Sequence, residues 1–182
     1  MRFRTLTTLA ATAAVALAGV AATASCALAD SPPAYDYAVL QIRTHSGFAL
    51  DVAGASKGDG TPVIQWTPNF QDNQRWRFVP INGHHQIRSV NSNKCLTASA
   101  LSGPSLVVQW VCNPSRLNQQ WDVEPGSFSS DVLNDLTIRS AASGLPLTAS
   151  TESSVPGRQL SVKNSLLGDD PGQIFDFTTS VR

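Results

Sequence analysis

Charge is scarce in this 182-residue sequence: only 14% of residues are Asp, Glu, Lys or Arg, and no basic run occurs. Proteins that grip nucleic acid gather their cations on one face, so that class of partner is excluded. Histidine and cysteine are nearly absent, three of each. His84 and His85 are adjacent, so on a strand they point to opposite faces, and neither they nor His45 has a Cys or carboxylate at ligand spacing; no metal and no cofactor is expected. Catalytic signatures are missing as well: there is no Gly-x-Ser-x-Gly elbow, no His-Glu-x-x-His and no Cys/His couple. No window of eleven or more residues carries a helical stripe, which argues against helices. The one long apolar stretch, Leu9 to Ala22, is too short and too weakly hydrophobic to span a membrane.

That stretch reads instead as the centre of a secretory leader. Arg2 and Arg4 form its positive start, and Ala27-Leu28-Ala29 has the small-x-small pattern of a cleavage site. Met1–Ala29 is therefore expected to be removed, leaving 153 residues from Asp30, in an extracellular protein. Thr23-Ala24-Ser25-Cys26 is a poor lipobox, so a lipid anchor is not the reading adopted. Without the leader, 11 Lys and Arg face 13 Asp and Glu, a net charge of −2. Cys95 and Cys112 are left as an even pair in an oxidising compartment, which predicts one disulfide contributing about 3 kcal/mol by the chain-entropy argument.

After a Pro-containing lead-in, Asp30 to Asp36, the text changes to short alternating runs broken by Gly, Asn, Asp and Pro. Such runs predict an all-β domain over residues 37–182. The runs repeat. Gln41-Ile42-Arg43-Thr44, Gln86-Ile87-Arg88-Ser89 and Thr137-Ile138-Arg139-Ser140 open three units. A turn follows each: His45-Ser46-Gly47, Asn91-Ser92-Asn93, Ala142-Ser143-Gly144. Asn73-Gln74-Arg75-Trp76, Gln119-Gln120-Trp121 and Gln173-Ile174-Phe175 close the units, 45 and then 54 residues apart at their aromatics. The third unit is stretched, between Gly126 and Leu136 and around Leu166 to Pro171. A repeat of this length is a supersecondary unit that cannot bury its strands alone; three around a pseudo-threefold axis close a barrel. Trp76, Trp121 and Phe175 are the predicted core anchors, and the Gln two positions before each is predicted to satisfy buried groups of its own turn.

Three Gln-x-aromatic endings in register, with Leu50-Asp51-Val52 and Gly60-Thr61-Pro62-Val63 ahead of the first, resemble the ricin B-type lectin family. The resemblance covers about Val39 to Phe177 and implies a β-trefoil that binds carbohydrate in shallow pockets, at most one per repeat. The Cys95-Leu96 … Trp110-Val111-Cys112 arrangement also matches the family's intra-repeat disulfide. In the first repeat the matching carbohydrate positions are Asp51, Trp66, Asn73 and Gln74. The chemistry is consistent. Asp51 is a charged acceptor for sugar hydroxyls, Trp66 a flat face for the C–H side of a pyranose, and Asn73 both donor and acceptor. Strand alternation puts Val63 and Gln65 on one face and Ile64 and Trp66 on the other. Ile64 departs from plant members, which place a sugar-contacting glutamine there.

A weaker second site is expected at Trp110, Asn118 and Gln119, with Thr97 in place of the aspartate. The third repeat has Thr148 at the aspartate position, Gly172 at the asparagine and no aromatic platform. Structural alternatives stand beside these readings. Asp51 can serve a local turn or the Gly54–Gly60 loop, and Trp110 can pack on the Cys95–Cys112 bridge instead of a ligand. Asp51 and Asp59 can also meet as a carboxylate pair. The expectation is a free-standing, secreted, non-catalytic and monomeric lectin for galactose-like sugars or xylan-like polysaccharides. The alternative is a trefoil binding a protein, such as a hydrolase, through the two long loops of the third unit.

Overall fold

The structure, a computed structural model, describes residues 35–125, 133–151, 155–164 and 170–179. The leader Met1–Ala29, Cys26, the lead-in as far as Ala34 and most of the Gly126–Leu136 and Leu166–Pro171 loops lie outside the described residues.

Among the described residues twelve short strands carry the fold, four to each repeat. The first repeat holds β1 (Val39–Thr44), β2 (Ala49–Val52), β3 (Val63–Trp66) and β4 (Trp76–Ile81). The second holds β5 (His84–Ser89), β6 (Cys95–Ala98), β7 (Ser105–Trp110) and β8 (Trp121–Pro125), and the third β9 (Leu136–Ser140), β10 (Leu147–Thr148), β11 (Ser161–Val162) and β12 (Phe175–Thr179). The outer strands of each repeat form a closed antiparallel ring, β1 with β4, β4 with β5, β5 with β8, β8 with β9, β9 with β12 and β12 with β1. Closure leaves the ring with no free edge. The inner pairs β2–β3, β6–β7 and β10–β11 are hairpins that meet one another across β7 and β11 and through single bridges at Pro62–Val108 and Ile64–Gln159. A six-stranded barrel with three such hairpins is a β-trefoil.

The turns show why the sequence folds this way. Gly47, Asn93 and Gly144 occupy the same place in the three turns and all have positive φ, +85°, +57° and +68°. Glycine and asparagine are the residues that adopt this conformation cheaply. Each also donates its N–H back to the end of the preceding strand, at Thr44, Ser89 and Ser140.

Trp76, Trp121 and Phe175 are fully buried in the common core, with Leu40, Ile42, Phe78, Ile87, Ile138 and Phe177 around them. The two indoles find matching acceptors, Leu50 O at 3.1 Å and Leu96 O at 3.0 Å. A buried indole N–H needs such a partner. The core extends further towards the N-terminus than the sequence predicts: Tyr35, placed there in the lead-in, is only 8% exposed. Its ring packs on Phe78, Phe177 and His85, and its hydroxyl donates to Val123 O.

Cys95 and Cys112 are bonded, 17 residues apart. The bridge fastens the end of β7 to the start of β6. Replacing both cysteines by serine is expected to lower stability by about 3 kcal/mol, seen as a lower calorimetric Tm of the oxidised chain.

Candidate functional site

In the first repeat, Asp51 on β2 lies directly across from Ile64 on β3, and Ala49 from Trp66. The strand alternation that buries Leu50 and Val63 in the core turns Asp51, Ile64 and Trp66 to the other face. Together with Gly54, Ala55, Asn69, Gln71 and Asn73 they line an open pocket of ≈ 440 Å³. Trp66 is 42% exposed and Asp51 only 4%, so the aromatic is a wall and the carboxylate a floor. Burial raises the pKa of Asp51 above its ordinary value of 3.8, while hydrogen bonds from Gln74 and Asn73 pull it back. Asn73 sits on a short 3-10 turn, donates to Val52 O at 3.3 Å, and has no protein partner for its Oδ1.

Gln74 is not in the pocket. It is fully buried beneath it, with its amide nitrogen donating to Asp51 Oδ2 (2.8 Å) and Thr67 O (3.0 Å). Its Oε1 accepts from Asn69 N (2.8 Å) and Gln41 Nε2 (3.0 Å). Both donors and both acceptor positions are thus occupied, and Gln74 holds the floor instead of meeting a ligand. Gln119 repeats the arrangement towards Thr97 Oγ1 and Val111 O, and Gln173 towards Thr148 Oγ1 and Lys163 O.

The second repeat has a smaller pocket of ≈ 220 Å³ lined by Thr97, Ser99, Val108, Trp110, Arg116 and Asn118. Gln119, expected there from the sequence, lies fully buried beneath it. Trp110 is 39% exposed and pairs across strands with Cys95, so it both borders the bridge and presents a face. In the third repeat, strand register puts Lys163 where the other repeats have tryptophan. Gly172 there leaves no space for an asparagine: a Cβ would lie 2.5 Å from Ala149 O. The depression beside it, lined in part by His45, Ala149 and Pro171, has no Trp, Tyr or Phe wall and no carboxylate among the described residues. Asp59 does not join Asp51. Lys94 pairs with it and holds its pKa low, and it accepts from Val111 N at 2.9 Å. The histidines do not converge either: His84 pairs with Asp122 and His85 with Asp36, and no group of three potential metal ligands occurs among the described residues.

The sequence profile of the ricin-type beta-trefoil lectin domain matches residues 38–171. The chain belongs to this lectin family. No curated protein sequence matches it significantly. Among solved structures it is similar to the designed 3-fold symmetric protein ThreeFoil, at 26% identity and a TM-score of 0.67, over 78% of this chain and 98% of the other. It is similar to the Macrolepiota procera ricin B-like lectin solved with lactose, at 17% identity and a TM-score of 0.64, over 79% and 96%. A non-toxic homologue of type II RIPs from Momordica charantia (bitter gourd), in complex with α-methyl-D-galactoside, is 29% identical with a TM-score of 0.62. That match covers 79% of this chain but 48% of the bitter gourd protein, so this lectin domain spans about half its length.

Each pocket of this ricin-type domain is lined by one repeat, but its tryptophan is backed by a glycine of a neighbouring repeat, a contact the sequence does not announce. Gly157 of the third repeat donates its N–H to Gln65 O at 2.7 Å, and Gly60 of the first donates to Gln109 O at 2.9 Å. These close approaches press each glycine against a pocket tryptophan: a Cβ on Gly157 would lie 3.3 Å from Cζ3 of Trp66, and one on Gly60 3.4 Å from Cζ3 of Trp110. Both glycines have positive φ, +90° and +74°. Gly157→Ala is expected to cost about 1–2 kcal/mol in backbone strain and to displace the Trp66 ring. Gly103→Ala is the control, since φ there is +68° with nothing within 4 Å. Both variants should lose Tm, but glycan affinity should fall in Gly157→Ala alone. The buried amides of Gln65 and Gln109 tie the same junctions, through Ser150 N and Val155 O in one case and Ser56 O and Gly58 O in the other.

Proposed function

We propose that this chain is a secreted, monomeric, non-catalytic carbohydrate-binding module that starts at Asp30 after leader removal and binds glycans chiefly in its first-repeat pocket. The observation that carries the reading is the buried carboxylate of Asp51 beneath the exposed face of Trp66, with Asn73 beside them. A pyranose has vicinal hydroxyls on one side and an apolar C–H patch on the other. Asp51 accepts from the hydroxyls as a charged acceptor, and Trp66 covers the C–H patch. Galactose-like residues or the xylose units of xylan suit a pocket of this size, and Ile64 narrows the hydrogen-bonding choice on the remaining wall. Two relatives, solved with lactose and with a galactoside, support a galactose-like ligand.

One open site of this kind binds with about 4–6 kcal/mol, which is millimolar to high micromolar. Repeated ligand units would raise the effective affinity. A glycan array with residues 30–182 tests the reading. Binding is expected, and Trp66→Ala should weaken it by about tenfold or more. A blank array with folded protein would sink it and direct the search to a protein partner.

A further inference from the structure

The two tryptophan-walled pockets carry opposite charge. Two positions, matched by strand register and by spacing, make the difference. Asp51, across from Ile64, is replaced by Thr97, across from Val108. Gln71, two residues before Asn73, is replaced by Arg116, two residues before Asn118. Gln71 lines the first pocket and Arg116 the second. Among the described residues no acidic side chain lines the second pocket. Thr97 offers little in exchange for the lost carboxylate, because its hydroxyl already donates to Cys95 O at 2.8 Å and accepts from Gln119 at 3.2 Å. The carboxylate of Asp59, next in sequence to the glycine that backs Trp110, is held by Lys94 and Val111 N. Arg116 is exposed and makes no ion pair among the described residues, whereas Arg75 and Arg139 each have a carboxylate.

We propose that the second pocket binds an anionic pyranose, a sugar bearing a carboxylate or a sulfate, with Arg116 as the ion-pair partner and Trp110 as the platform. A guanidinium is a planar fork that meets either group through two parallel hydrogen bonds. In the first pocket the same ligand would meet the carboxylate of Asp51 and be repelled. The inference rests on the reading that an exposed tryptophan beside these hairpins stacks on sugar; it adds that the two sites divide neutral from acidic residues of a heteropolymer.

The test is NMR of the ¹⁵N-labelled chain, residues 30–182, following the indole N–H signals. Trp76 and Trp121 are buried and bonded, so Trp66 and Trp110 are the responsive pair, distinguished by Trp66→Phe and Trp110→Phe. The probes are methyl α-D-galactoside, its 6-carboxylate (the galacturonide) and its 6-sulfate. An acidic probe should move the Trp110 signal at a concentration about tenfold lower than the neutral one, and raising NaCl from about 0.05 to 0.5 M should remove most of that advantage. Arg116→Gln should abolish the preference at Trp110. Preference for galacturonide or for sulfate identifies which anion is taken. Equal response of Trp110 to neutral and acidic probes, or a preference that survives Arg116→Gln, overturns the proposal. The first-site reading is scored separately, by the neutral galactoside at Trp66.

Discussion

Gln74→Ala is expected to destabilise the domain by about 3–5 kcal/mol, although it removes no atom that a ligand could touch. The side chain is fully buried and each of its four hydrogen-bonding positions is used. Truncation leaves the Asp51 carboxylate without one of its two amide donors, and strands Gln41 Nε2, Asn69 N and Thr67 O. An unpartnered buried group costs about 1–3 kcal/mol, more if charged, and water entering the space recovers part of the sum. Against a typical domain stability of about 5–15 kcal/mol this is a large loss. Gln173→Ala is the internal comparison. Gln173 is half-buried and donates to Thr148 and Lys163 with no charged partner, so about 1 kcal/mol is expected. Gln74→Glu should be worse than Gln74→Ala at neutral pH, because a second carboxylate would face Asp51 at hydrogen-bond distance. Urea unfolding of the three variants checks the order. A Gln74→Ala domain within about 1 kcal/mol of the parent would mean the amide is not what holds the floor.

The contrast between Gln74 and Trp66 also says what the sequence made legible. The three Gln-x-aromatic endings mark both a core anchor and a turn, because part of each glutamine's bonding is local to that turn. Gln74 reaches Thr67 and Asn69, and Gln119 reaches Val111 and Asn113. Period-two alternation placed Trp66 outward and Val63 inward for the same reason. Long-range contacts were not legible. Nothing near Trp66 in the chain announces Gly157, 91 positions away, and nothing near Tyr35 announces Phe177. Gly157, between β10 and β11, is visible as a glycine in the sequence, but its meaning depends on which hairpin lies next to which. The family resemblance names Gln74 and Gln119 as carbohydrate positions without saying how deep they lie; neither lines a pocket, and their amides are spent on Asp51, Thr97 and their own turns, the second role the sequence predicts for them. The expectation of a poor third site rests in the sequence on Thr148, Gly172 and the missing aromatic. The structure adds a steric reason at the backbone, where Ala149 O occupies the space of any side chain at Gly172.

On the proposed reading of the first pocket, stability and binding are expected to pull against each other at Asp51. Its burial raises the folded pKa above the unfolded value, so the folded state holds the proton more tightly than the unfolded one. The stability this contributes is fully present below the ordinary value of 3.8 and is lost as pH rises through the folded pKa. At neutral pH the domain therefore carries a buried carboxylate at a cost. Sugar binding has the opposite sign. Hydroxyl donors favour the ionised acceptor, so affinity is full above the raised pKa and falls as pH drops through it, starting at a higher pH than for an exposed aspartate. Asp51→Asn fixes the side chain in the neutral form while keeping an oxygen for Gln74. It is expected to raise Tm at neutral pH and to weaken neutral-glycan binding by about 10- to 100-fold, the range for losing a charge-assisted hydrogen bond. It should also flatten the acid limb of the binding profile. Calorimetric scans and sugar titrations of parent and variant at several pH values check both limbs at once. Undiminished binding by Asp51→Asn would remove the carboxylate from the site. An unchanged or lower Tm with binding lost would instead show that the ionised group, despite its burial, is held favourably by Gln74 and Asn73.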